Sequence, residues 1–108
     1  MKIYIAGKIS GNPCYKDDFN LAEKELTALG HSVMNPAWLK AGREFSWKDY
    51  MTASRGMQEV CDAVFFIEGW QTSKGAQKEF VFAVESEQKI FFNIHEVPQC
   101  TPNEKTAG

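Results

Sequence analysis

Within TSKGAQKE, residues 72–79, a serine, a glycine and a carboxylate fall at a spacing that can do chemistry. Ser73 can cap a helix or hold a phosphate, and Gly75 leaves the backbone open to a closely approaching ligand. Glu79 stands about one turn further on, flanking the apolar stripe Ala76, Phe80, Ala83 and Val84. A carboxylate there can attack or stabilise an electrophilic carbon. A glutamate near a helix N-terminus can equally answer the helix dipole and face water. A second stretch, AGKISG (6–11), sets Gly7 and Gly11 around a short turn. Its backbone N–H groups suit a phosphate, although a tight turn alone would also demand glycine. Trp38, Trp47, Tyr50 and Trp70 can sandwich a flat base or simply pack. His31 and His95 are isolated, and His95 with Cys100 lacks further ligands, so no metal site is expected.

These residues need elements to hold them. KIYIAG (2–7) reads as a buried first strand, and residues 15–29 as a helix with Phe19, Ala22, Leu26 and Leu29 inward, stopped by Gly30. HSVMNP (31–36) reads as a second strand, followed by a loop over 37–45. SWKD (46–49) has the form of a capping box, with Ser46 as N-cap and Asp49 at N3. The helix after it carries Tyr50, Ala53, Met57 and Val60 on one stripe. DAVFFIEG (62–69) is an apolar third strand, a helix spans 74–87, and KIFFNI (89–94) is a fourth strand. Strand and helix alternate throughout, which predicts right-handed crossovers and an α/β flavodoxin/Rossmann-like three-layer sandwich. Its parallel sheet has four strands, or five, in the order 2-1-3-4. Ligands in such folds bind beyond the carboxyl ends of the strands, where the order reverses. That crevice is edged by GKISGNP and EGWQTSKG.

Composition narrows the partners. The chain has 108 residues, 44% of them hydrophobic and 24% charged, with a formal charge of −2. One domain over residues 1–96 is expected, with 97–108 as a flexible C-terminal tail. No basic cluster is present for a nucleic-acid polymer. No apolar run is long enough for a bilayer, and the start lacks the h-region of a signal peptide. Cys14, Cys61 and Cys100 are odd in number and contain no CxxC, which fits a reducing, cytoplasmic setting.

Taken in order, YIAGKISG, SWKDYM, CDAV, GW and SKGAQKE resemble the nucleoside 2-deoxyribosyltransferase-like superfamily. Within it, the chain looks like the small DUF4406 proteins of phages and bacteria, over residues 2–92. The resemblance implies that Glu79 is a nucleophile at C1′ of a 2-deoxyribosyl group. The base would be expelled and a glycosyl-enzyme ester left for water or a second base, with net retention. Tyr4 matches a first-strand tyrosine that positions the glutamate or the sugar. Gly7, Ile9, Gly11, Ser73 and Gly75 occupy the places that hold a 5′-phosphate in nucleotide-specific relatives. Active relatives carry an aspartate eight positions before the Asp of CDAV, and this chain has Ser54 there. The nucleotide-hydrolase branch has an arginine where Ser10 stands. Asp49, or Glu68 at the end of strand 3, is a carboxylate that can stand in for the missing one, and Trp47 and Trp70 complete the expected substrate-binding set. The implied activity is a 2-deoxyribosyltransferase or 2′-deoxynucleotide N-glycosidase. A nucleotide-binding or sequestering module is the alternative, and a partner-binding protein a third. No cofactor is expected. The expected partners are a small-molecule nucleoside or nucleotide and further copies of the chain, as a homodimer or higher homo-oligomer.

Overall fold

The computed structural model describes residues 1–40 and 42–100. Four parallel strands form one sheet in the order β2-β1-β3-β4: β1 (Lys2–Ala6), β2 (Ser32–Met34), β3 (Ala63–Phe66) and β4 (Lys89–Phe91). The expected order and the four-stranded count hold, and no fifth strand joins among the described residues. Side chains alternate across each strand, so β1 sends Ile3 and Ile5 to one face and Tyr4 and Ala6 to the other. Helix α1 (Tyr15–Ala28) covers the first face with Phe19, Ala22 and Leu26, which close on Ile3, Ile5, Ala63 and Phe65. Each such large side chain withdrawn from water contributes about 1.5–3 kcal/mol. Helices α2 (Trp47–Glu59) and α3 (Lys74–Glu85) lie on the opposite face, over Tyr4, Ala6, Val64 and Phe66.

The helix boundaries follow local chemistry. Ser46 Oγ accepts from the Asp49 N–H, and the Asp49 carboxylate accepts from the Ser46 N–H, completing the expected capping box. Ser73 caps α3 by accepting from the Ala76 N–H. Gly30, with φ of 92°, ends α1 in the left-handed region that glycine enters without strain.

Two helical faces differ from expectation. On α2 the buried residues are Ser54 and Gln58, while Ala53 and Val60 are exposed. The inward face is therefore rotated by about one position, because polar side chains with specific partners occupy it. On α3 Glu79 lies on the buried stripe itself, with Ala76 and Ala83, and Val84 faces outward. The chain after residue 96 is also more tightly held than a loose tail would be. Val97 is 6% exposed in the α1-side core, the Pro98 carbonyl pairs with His31 Nε2 at 2.6 Å, and the Cys100 N–H donates to Leu29 O at 2.7 Å. Residues 101–108 of the expected tail lie outside the described residues. No described helix is long and apolar enough to cross a membrane.

Candidate active site

A cavity of about 290 Å³ opens at the carboxyl ends of β1 and β3, where the strand order reverses. Each wall comes from a different element. Tyr4 rises from β1, and Gly7, Ile9 and Ser10 from the loop after it. Trp47, Tyr50, Met51 and Ser54 line it from α2, and Ser73, Gly75, Ala76 and Glu79 from the start of α3. Tyr15, Phe19, Pro36 and Leu39 close the remaining side.

Glu79 sits at the floor, only 8% exposed, and its Oε2 accepts a short hydrogen bond from the fully buried Tyr4 hydroxyl. Burial drives the pairing, since a carboxylate taken from water needs a donor. Desolvation raises the Glu79 carboxyl to about 7, and the Tyr4 hydrogen bond pulls in the opposite direction. Tyr4 is itself held well above the usual phenol range, first by burial and then by the Glu79 charge. The result is a carboxylate that ionises near neutrality, with Oε1 unclaimed by any described hydrogen-bond donor. Such a group can act as a nucleophile or as a proton carrier.

The backbone beneath Glu79 is pinned as well. Gln58, fully buried on α2, donates through Nε2 to the Glu79 carbonyl at 2.9 Å and to Gln88 Oε1 at 3.1 Å. Gln88 Nε2 in turn donates to the carbonyls of Gln58 (2.8 Å) and Cys61 (2.9 Å), satisfying the end of α2. Gln58 Oε1 has no partner, beside a small void that also touches Glu79. A buried polar atom left unpaired beside a nucleophile candidate marks a locally costly arrangement. No pattern of spacing in the sequence pointed to Gln58 or Gln88.

Of the residues expected at the site, Tyr4, Gly7, Ile9, Ser54, Ser73, Gly75, Trp47 and Glu79 all border the cavity. Gly11, Asp49 and Trp70 do not. Gly11 has φ of 78° and is exposed, so it serves the turn. Asp49 is committed to the capping box, on the exposed side of α2. Trp70 packs against the core on the Tyr4 face of the sheet, its ring stacked on Phe80 at 5.1 Å and on Phe92 at 5.8 Å. Glu68 is not among the cavity residues either. Gly75 has a packing reason, because a Cβ there would stand 3.1 Å from Met51 Sδ. Ser54 stands between the Met51 carbonyl, at 3.2 Å, and the Tyr4 phenol oxygen. Tyr50, expected on the inward stripe of α2 and among the aromatics near the site, holds the neighbouring loop: its hydroxyl donates to Lys40 O (3.1 Å) and accepts from the Gly42 N–H (2.7 Å). Tyr15, Phe19, Pro36, Leu39 and Met51 were not anticipated as cavity walls, since each reads in sequence as ordinary core or loop.

A parallel α/β sheet with its cavity at the switch point and a Tyr–Glu pair on the floor defines the class of site. The chain belongs to the DUF4406 family, a domain of unknown function whose family model matches residues 1–92. Comparison with curated proteins gives no match. Among solved structures, the fold is similar to that of a 2-deoxyribosyltransferase from Bacillus psychrosaccharolyticus, described as a biocatalyst for nucleoside synthesis. The TM-score is 0.65 at 21% identity, covering 83% of this chain and 69% of that one. The likeness establishes a shared nucleoside 2-deoxyribosyltransferase-like fold.

Proposed function

We propose that this protein cleaves or exchanges the N-glycosidic bond of a 2′-deoxynucleoside or its 5′-monophosphate, with Glu79 as nucleophile and Tyr4 as the residue that positions it. The observation that carries this reading is the buried Glu79 carboxylate, bonded to Tyr4 through one oxygen at the floor of a nucleoside-sized cavity. The other oxygen attacks C1′, the bond to the base breaks, and an ester between Glu79 and the sugar forms. Water or an incoming base then attacks the same carbon and frees the carboxylate. Two attacks from opposite faces give retention. The aromatic and aliphatic walls from Phe19, Leu39, Trp47 and Met51 suit a flat base, and Ser73 and the neighbouring N–H groups at the start of α3 suit the sugar 5′ end. The fold likeness to a 2-deoxyribosyltransferase supports the same reaction class. Chromatography of free base from a panel of deoxynucleosides and their 5′-monophosphates tests it, with Glu79→Gln alongside. Release that survives in Glu79→Gln removes Glu79 as nucleophile.

A binding module is the second reading, and the specific observation in its favour is that Glu79 is the one acidic side chain bordering the cavity among the described residues. It predicts saturable nucleotide binding by calorimetry with no product. Exposed Val81, Val84 and Phe92 support self-association in a cytoplasmic setting, which sedimentation analysis of the purified chain would test.

A further inference from the structure

Breaking a bond from sugar to base leaves an electron pair on the base nitrogen, and that pair needs a proton or a base able to carry it. The groups around the cavity can be taken in turn. Glu79 must be ionised to attack, so it holds no proton at that moment. The Tyr4 hydroxyl donates to Glu79, and the Tyr50 hydroxyl donates to the Lys40 carbonyl at 3.1 Å. Ser54, on the wall near Glu79, is set against the Met51 carbonyl and the Tyr4 oxygen. Ser10, Tyr15 and Ser73 remain, and serine and tyrosine hydroxyls are far weaker acids than a carboxylic acid. No lysine, arginine or histidine borders the cavity among the described residues. Most of the rest of the wall is apolar, so charge left on a departing base is poorly solvated there.

Resting on the glycosyl-transfer reading above, we propose that the base leaves this site as its anion, without a proton from the protein. The site therefore selects 2′-deoxyribosides whose base has an acidic ring N–H, such as an electron-poor pyrimidine. The balance is complete without a protein acid. Glu79 Oε1 bonds to C1′ as the C1′–N pair passes to the base. The attacking water then gives its hydroxyl to the sugar and its proton, through solvent, to the base. A positioned general acid contributes about 10²–10⁴-fold where it exists, and without one the rate tracks leaving-group acidity steeply.

The test uses the intact chain at pH 8, above the range in which Glu79 protonates, with near-isosteric substrates. These are 2′-deoxyuridine, its 5-fluoro analogue, thymidine and 2′-deoxycytidine, each as nucleoside and as 5′-monophosphate. Expected is release of 5-fluorouracil roughly tenfold or more faster than uracil, with cytosine slowest, the order that leaving-group acidity sets. Ser54→Asp, which puts a carboxyl on the wall near Glu79, is expected to compress that spread by raising the slow members. Equal rates across the wild-type series overturn the inference while leaving Glu79 as nucleophile, because a donor from this chain or a second copy must then reach the base. Release from no substrate by folded protein removes the glycosyl-transfer reading, and this inference with it.

Discussion

Removing one oxygen atom tests how the site works. Tyr4→Phe deletes the hydroxyl that bonds Glu79 Oε2 and keeps the ring that fills the space beneath α2 and α3. A hydrogen bond to an ionised group contributes about 1.5–3 kcal/mol, and here it favours the charged form of Glu79. Its loss is worth about one to two pH units at 1.36 kcal/mol per unit, and the sign is upward. Glu79 already ionises near 7, so the acid limb of kcat/KM should move from near neutrality to about pH 8–9 in the variant. At pH 7 the wild-type carboxyl is about half ionised, so the ionised fraction falls about five- to fiftyfold in the variant, and activity falls with it. At pH 9.5 much of that loss should return. The assay is base release from one deoxynucleoside across pH 5–10 with both proteins. An acid limb that stays in place while activity drops evenly at every pH would refute the reasoning, since Tyr4 would then act on the substrate and not on the ionisation of Glu79.

Three further perturbations address the surroundings. Glu79 is raised from 4.5 to about 7 by burial, so folding stability associated with it is full below pH 4.5 and lost as pH rises through 7. Glu79→Gln, which keeps an acceptor for Tyr4, should therefore gain on the order of 2–3 kcal/mol over the wild type at pH 8.5 and little at pH 4, read by urea denaturation. Asp49→Ala removes the acceptor for the Ser46 N–H, breaks half of the capping box and should cost about 0.5–1 kcal/mol with kcat/KM essentially unchanged; a large loss of activity would restore Asp49 to the catalytic set. Trp70→Leu removes the stacking on Phe80 and Phe92 and should lower stability by about 1–3 kcal/mol without raising KM, as scanning calorimetry and steady-state kinetics would show.

The sheet order was legible because four apolar runs alternate with helical segments, and parallel crossovers leave few other arrangements. Ser46 and Asp49 announced the start of α2 because a capping box is local chemistry. Glu79 was conspicuous for the same reason that it costs stability: a carboxylate among apolar positions needs explaining. The inward face of α2 was not legible, because Ser54 and Gln58 are polar and buried for partners on other elements. A periodicity of apolar residues cannot see them, and it placed exposed Ala53 and Val60 inside instead. Trp70 and Trp47 look alike in sequence, yet one fills an aromatic stack and the other borders the cavity. Their separation depends on where the short turn Trp70–Thr72 directs the chain after Gly69, which enters the left-handed region at φ 91°. Residues 97–100 read as tail because Pro98 and Gln99 are polar or turn-forming, whereas Val97 and the backbone bonds to His31 and Leu29 hold them.

The most direct test of Glu79 as nucleophile is mass spectrometry of the protein quenched in acid during turnover of 2′-deoxy-5-fluorouridine. Chemistry through Glu79 predicts a protein species heavier by one 2-deoxyribosyl group, with the added mass on the peptide containing Glu79 and absent from Glu79→Gln. Continued base release with the sugar never attached, or attached at another residue, would contradict it.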